Sequence, residues 1–208
     1  MTPRVLPAGE RALLLEFDDL DEVLAHYAAL AALDLPDLVD VVPAARTILV
    51  TVRSPEALPR VRAEVTALRP DPADQRPDAE IELEVRYDGP DLPEVATALG
   101  LSVESLVRRH TEETWTVAFC GFAPGFAYLT GARFPWSVPR LADPRPRVPA
   151  GAVGLAGGFS GVYPRSSPGG WRIVGHTEAE LFRLDRRPPA LLTPGTRVRF
   201  RDAARAAR

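Results

Sequence analysis

Between Phe119 and Phe182 the chain packs glycine, proline, arginine and aromatic residues into three successive runs: FCGFAPGFAYLTG, VPRLADPRPRVPAGAVGLAGG and GVYPRSSPGGWRIVGHT. More than half of the fifteen glycines fall in this stretch. Glycine admits backbone conformations closed to other residues and lets a ligand come close to the main chain. Proline fixes φ and removes a donor, so the connecting loops are stiff. A segment punctuated this densely cannot carry long helices. It allows short strands joined by tight turns, the pattern of a β-barrel or sandwich. Rigid backbone beside arginines and rings also suits the wall of a small-molecule pocket.

The segment before this stretch reads differently. Arg11–Phe17 (RALLLEF) is a short apolar run bounded by GE and DD, a buried strand. Asp19 with Glu22 forms a capping-box pattern, followed by Val23, Tyr27 and Leu30 at helical spacing, with an end near Pro36. His26 on this helix reads as a surface or boundary residue. VDVVP and RTILVTVR form a hairpin. Ser54-Pro55 opens a second helix with Leu58, Val61, Val65 and Leu68 on one face, and Pro59 pushes its start a turn later. Strand–helix–strand–strand–helix before residue 80 predicts a small α+β domain of ferredoxin-like kind. RPDPADQRPDAE (residues 69–80) is polar and proline-rich and reads as a linker, so the predicted domains are 1–79 and 80–208. Beyond it, IELEVRY alternates strictly and is a strand. Asp91 with Glu94 caps a helix ending at Gly100, Ser102 starts another that stops near His110, WTVAF is a strand, and TRVRFR alternates again.

Composition excludes several chemistries. The net charge of −3 argues against a non-specific nucleic-acid binder. Charge is uneven, with residues 1–79 at −6 and residues 80–208 at +3, and six arginines between Ala132 and Arg172 face Asp143 alone. Such arginines either cover apolar surface with their stems or attract a carboxylate or phosphate. All 25 basic residues are arginine. Schiff-base chemistry, a P-loop and the attachment of biotin or lipoate all need lysine, so this chain supplies none of them. Cys120, the single cysteine, lies in an apolar run and reads as a buried structural thiol. His26, His110 and His176 have no metal-ligand spacing, so no metal site is expected. No apolar run reaches the roughly 20 residues that span a bilayer. The opening MTPRVLPAGERALLLEF is not a secretory signal, and a cytoplasmic location is the expectation.

The long ordered motifs FCGFAPGFAYL, the Pro139-Arg140 and Pro144-Arg145 dipeptides, VPAGAVGLAG and GVYPRSSPGGWRIVGHT closely resemble the PxpB (KipI) family of 5-oxoprolinase subunits. The same family is also called allophanate hydrolase subunit 1, and it is similar to half of the carboxyltransferase domain of urea carboxylase. PAGERALLLEF and LPEVATALGLSVESLVRRHT extend the resemblance over nearly the whole chain. It implies an N-terminal α+β domain, a C-terminal cyclophilin-like β-barrel, and PxpC-like and PxpA-like partner subunits. With these, ATP would be consumed in opening 5-oxo-L-proline to L-glutamate. Two alternatives stand beside it: a KipI-like regulator that inhibits a sensor histidine kinase, and a carboxyltransferase or allophanate-related subunit acting on urea derivatives beside a biotinylated partner. Ala152 stands where relatives commonly carry serine, so no hydroxyl role is expected there, and Gly158-Phe159-Ser160 also departs from the family pattern, so a different pocket rim and substrate are open there.

The candidate catalytic residues are His110, Arg140 and Arg145. His110 ends a helix whose dipole favours the imidazolium, and it reads either as that alone or as an acid/base at the pocket mouth. Arg140, Arg145 and the nearby Arg147 stand in rigid Pro-Arg contexts. An arginine fork there would bind the carboxylate of 5-oxoproline or a transferred phosphate, or else form salt bridges or a partner interface. Phe122, Pro124, Gly125, Phe126 and Tyr128 form a turn whose rings are either barrel core or ligand wall. Pro139, Tyr163, Gly169, Gly170 and Trp171 complete the predicted substrate-binding set, and the Ser167–Trp171 turn could aim N–H groups into a concavity.

Overall fold

Alternation of apolar side chains sets the first half of the molecule. The computed structural model describes residues 3–70 and 80–206, and the chain divides into two units, Met1–Arg76 and Pro77–Arg208. The first unit runs β1 (Arg4–Pro7), β2 (Ala12–Glu16), α1 (Leu20–Ala31), β3 (Leu38–Pro43), β4 (Thr47–Val52) and α2 (Leu58–Ala67). Its sheet has the order β1-β2-β4-β3 and is antiparallel throughout. Leu13 and Leu15 on β2 and Ile48, Val50 and Val52 on β4 bury one face, and Val23, Leu30, Val61 and Val65 of the two helices cover it. Strand β1 has no counterpart among the expected elements. A ferredoxin-like sheet takes its fourth strand from after the second helix, whereas here the edge is filled by β1, which precedes the first.

Local signals behave as their chemistry requires, with some exceptions. The Asp19 side chain accepts from the Glu22 N–H at 2.9 Å and caps α1. That helix ends at Ala31 rather than near Pro36. A single 3₁₀ turn, Pro55–Ala57, precedes α2, so Pro59 falls in a first helical turn where its missing N–H costs nothing. His26 is buried rather than at the surface: its ring lies 4.6 Å from that of Phe17, and Nδ1 bonds the Glu22 carbonyl. Most of the predicted linker, 71–79, lies outside the described residues.

The second unit contains β5 (Glu80–Val85), α3 (Leu92–Ala98), α4 (Val103–Glu112), β6 (Trp115–Cys120), β7 (Ala127–Gly131), β8 (Arg145–Val148), β9 (Ala152–Ala156), β10 (Phe159–Val162), β11 (Ser167–Gly169), β12 (Arg172–His176) and β13 (Arg197–Asp202). Seven strands form one mixed sheet of order β12-β9-β10-β7-β6-β13-β5, in which only the β13–β5 pair is parallel. The two outer strands meet where Arg86 and His176 exchange backbone hydrogen bonds of 2.8 and 2.9 Å, so the sheet is a nearly closed barrel. Glycine is needed at that seam: a Cβ on Gly175 would stand 2.6 Å from the Arg86 carbonyl oxygen, and one on Gly89 2.4 Å from that of Ile173. Trp115, Val117, Leu129, Val153, Leu155 and Phe200 fill the interior.

One side chain departs from its predicted role because of this barrel, and another keeps its role with less burial than expected. The Asp91 carboxylate does not cap α3; it turns instead to Arg145 and to the Ile173 N–H. Cys120 is half-buried with its thiol on the Leu192 carbonyl, and burial pushes its pKa up to about 11, which makes it a poor nucleophile. Among the described residues no helix is long and apolar enough to cross a membrane, and no cluster of His, Cys, Asp and Glu could hold a metal ion.

Candidate functional site

Strands β7, β9 and β10 have two useful faces. Leu129, Val153 and Leu155 point into the barrel, while Tyr128, Ala152, Ala156 and Phe159 point out. The small β8–β11 ribbon and the turns around it pack over this outer face, bringing in Val148, Tyr163 and Trp171 together with Phe126. Between the two layers lies a cavity of about 370 Å³, lined by Phe122, Phe126, Tyr128, Phe159, Tyr163 and Trp171 with Arg140, Ala156, Gly157 and Gly169.

The rings hold one another in place. Phe126 meets Tyr163, Trp171 and Tyr128 edge-on at centroid distances of 5.3, 5.3 and 5.1 Å, and such pairs contribute about 0.5–1.5 kcal/mol each beyond area burial. Gly169 makes room for Tyr163: a Cβ there would stand 2.3 Å from the phenol oxygen. Gly125, at φ +84°, lets its turn pass where a Cβ would come within 2.7 Å of Phe182 Cβ. Burial raises the pKa of Tyr128, opposed by Arg140. Burial also raises that of Tyr163, opposed by a Trp171 backbone hydrogen bond and by Arg140. Both phenols are therefore neutral donors at physiological pH.

Arg140 is the charge at this cavity. Its guanidinium lies against Gly170, 3.5 Å from where a Cβ would stand. Among the described residues it has no ion pair and no hydrogen-bond partner. Its neighbours are engaged elsewhere. Arg145 grips Asp91 through two bonds of 2.9 and 2.7 Å, Arg147 donates to the Ser166 hydroxyl, and Arg172 pairs with Glu94 at 2.8 Å. An unpaired fork over an aromatic box can take a carboxylate through two parallel N–H···O bonds while the rings exclude water.

Phe122 forms the rim. It is 60% exposed and is the one described residue other than glycine with positive φ, at +67°. A bulky side chain in that region is strained, and such strain clusters at binding sites.

Not every predicted residue reaches the cavity. His110 is buried in the barrel interior: Nδ1 meets the Tyr87 hydroxyl at 2.7 Å, Nε2 meets the Ser160 hydroxyl at 2.9 Å, and the ring stacks on Phe200. Desolvation drives its pKa down to about 3, overriding the helix-end preference for imidazolium. It is not at the pocket mouth. Arg145 and Arg147 hold the surrounding loops, Pro139 accepts from Arg172 through its carbonyl, and Gly170 accepts from the Leu141 N–H. Ser167–Gly169 pairs as a strand with β8 rather than forming an open nest. Pro124 and Gly125 shape the turn without lining the cavity. Phe159, from the divergent segment tied to the pocket rim, does line it; Ala156 and Gly157 line it unpredicted, and the period-two alternation of AVGLA and FSGV around the glycine pair was the signal.

The match to known proteins is broad. Residues 3–192 match the carboxyltransferase domain, subdomain C and D. The chain is 38% identical over 207 residues to the 5-oxoprolinase B subunit of Escherichia coli O157:H7, covering 92% of each. The chain belongs to the PxpB family of 5-oxoprolinase subunits. A second family member, from Bacillus subtilis, is 46% identical over 123 residues, covering 58% of this chain and 51% of that one. The crystal structure of TTHA0988 superposes with a TM-score of 0.75 at 37% identity over 93% of this chain, which spans 40% of that longer polypeptide. Kluyveromyces lactis urea carboxylase, at 16% identity and a TM-score of 0.69, shares the fold over 99% of this chain and 22% of its own. As a member of the PxpB family, this chain brings Arg140 and six aromatic rings to one cavity.

Proposed function

We propose that this chain acts as one subunit of an ATP-dependent 5-oxoprolinase, binding 5-oxo-L-proline in the aromatic cavity and working only with PxpC-like and PxpA-like partners. The observation that carries this reading is the unpaired guanidinium of Arg140 at the edge of an apolar hollow of about 370 Å³. The proposed substrate has one carboxylate and one flat lactam ring, and the cavity offers one fork and a set of flat walls. In this reading Arg140 binds the carboxylate, Phe126, Tyr128 and Trp171 pack against the ring, and the tyrosine hydroxyls donate to polar atoms of the ligand. Phe122 closes the rim.

ATP does not fit this cavity. A triphosphate needs several cations, or a metal ion held by carboxylates, and the lining contains one arginine and no acid. We therefore assign the nucleotide to the partner subunits. The barrel is read as cyclophilin-like. The first unit is read as a ferredoxin-like sheet whose outer strand comes from the N-terminus. A cytoplasmic location accords with an ATP-consuming role.

Reconstitution tests the proposal. The purified chain is mixed with PxpC- and PxpA-like subunits, and ADP and glutamate formed from 5-oxoproline are measured with each component left out in turn. Coupled formation of both products only in the full mixture supports the reading. Turnover that is indifferent to leaving this chain out overturns it.

A further inference from the structure

We propose that His110 is a positioning residue: its bond to Ser160 anchors strand β10 so that Phe159 faces the aromatic cavity. Its consequence for substrate rests on the function proposed above. The anchoring itself does not.

Strand β10 is short and rich in glycine, and it lies between β7 and β9. It spans four residues, Phe159–Val162. It follows Gly157 and Gly158 and contains Gly161, and glycine-rich strands specify their register poorly. Against β7 it makes two residue pairs, Phe159 with Thr130 and Ser160 with Leu129. Its other pairing, to β9, runs in register through all four residues, from Phe159 with Ala156 to Val162 with Val153, across the two-glycine turn.

Adjacent strand residues face opposite sides, so fixing Ser160 inward fixes Phe159 outward. A one-residue slip would exchange them, placing a hydroxyl at the cavity and a phenyl ring inside the barrel. The Phe159 ring is part of the wall, edge-on to Tyr128 at 5.7 Å and to Phe119 at 5.7 Å.

What holds Ser160 is a chain of polar groups in an otherwise apolar interior. Ser160 and His110 are both buried. The His110 residue is itself fixed at three places: Nδ1 on Tyr87, the ring face on Phe200 at 4.5 Å, and its backbone carbonyl accepting from the Trp115 indole N–H at 3.0 Å. An oriented imidazole presents Nε2 to a single hydroxyl. Buried polar networks carry a desolvation cost and, when every member is satisfied, specify one arrangement of the surrounding core. An apolar residue at 110 would fill the same space but leave the buried Ser160 hydroxyl without this partner.

The two hydrogen bonds of His110 make the proposal testable. Ser160→Ala removes the bond to β10, and Tyr87→Phe removes the bond on the other side of the ring. Hydrogen–deuterium exchange on the full-length chain reads the backbone directly, without substrate or partners. Ser160→Ala should speed exchange across residues 157–162 by roughly tenfold, the factor carried by one net hydrogen bond. Tyr87→Phe, in which Phe200 stacking and the Trp115 bond still hold His110 against Ser160, should leave those amides within about twofold of the parent while affecting residues near 87. In the reconstituted complex, Ser160→Ala should raise KM for 5-oxoproline more than it lowers kcat, and Tyr87→Phe should change neither. Equal exchange in the two variants, or none in either, would overturn the anchoring. Selective exchange with unchanged KM would uphold it and count against the cavity as the substrate site. If Ser160→Ala does not fold, Ser160→Cys, which keeps a weaker donor and acceptor, should give an intermediate rise at the same amides. No rise there would overturn the proposal.

Discussion

Replacing Arg145 by alanine separates a structural arginine from a substrate arginine. Asp91 is 4% exposed, and its carboxylate accepts from Arg145 at 2.9 and 2.7 Å and from the Ile173 N–H at 2.6 Å. Removing the guanidinium leaves a buried carboxylate with one neutral donor. Losing one partner of a buried pair costs about 3–5 kcal/mol. The Arg145 side chain is 30% exposed, so water can reach the vacated space, and screening lowers the expectation to about 2–3 kcal/mol. At about 2–4 °C per kcal/mol, the melting temperature should fall by roughly 4–12 °C. Denaturant unfolding followed by tryptophan fluorescence measures the stability, and turnover in the reconstituted complex at a temperature where both proteins are folded measures the function. The expected result is a clear stability loss with kcat/KM within about threefold of the parent, since Arg145 makes no contact with the cavity. A stability change below about 0.5 kcal/mol with a tenfold or greater loss of kcat/KM would refute this reasoning and place Arg145 on the ligand.

Three further outcomes follow from the geometry. His110 has a folded pKa near 3, below its ordinary 6.5. The unfolded chain therefore binds the extra proton first, and stability present above pH 6.5 should decline as pH falls from about 6.5 toward 3, at up to about 1.4 kcal/mol per unit. His110→Gln should flatten that part of the urea-unfolding profile relative to the parent, and an unchanged slope would contradict the buried neutral imidazole. Gly169→Ala should displace Tyr163 and perturb the near-ultraviolet circular dichroism of the aromatic box, because a Cβ there would stand 2.3 Å from the phenol oxygen; an unaltered spectrum with unchanged KM would count against it. Phe122→Gly should relieve about 1 kcal/mol of backbone strain and leave stability equal or higher while KM for 5-oxoproline rises; a large loss of stability would show that the ring serves the fold instead.

The sequence made some of this legible and hid the rest for identifiable reasons. Strands with strict alternation, such as β5 and β13, and helix starts with a capping residue, such as Asp19 and Ser102, follow from local chemistry alone. Strand β1 carries no such pattern, because a four-residue edge strand is half exposed on both faces. Asp91 resembles a cap because Glu94 follows it at the right spacing, but an arginine 54 residues away competes better for a carboxylate than a backbone N–H does. The three Pro-Arg arginines are alike in sequence. Only the barrel decides that Arg145 meets Asp91, Arg147 meets Ser166 and Arg140 is left at the cavity. His110 escapes the helix-end rule because that rule cannot register the desolvation of a closed interior.

The most direct measurement is 5-oxoproline-dependent ADP and glutamate formation by the reconstituted complex carrying Arg140→Ala. One lost charged hydrogen-bond pair corresponds to about 1.5–3 kcal/mol, so kcat/KM for 5-oxoproline should fall roughly 10- to 100-fold while stability of the chain changes little. Arg140→Lys should rescue only part of this, since an ammonium cannot form the two-bond fork. Unchanged kinetics in both variants would contradict the assignment of the aromatic cavity as the place where the substrate carboxylate binds.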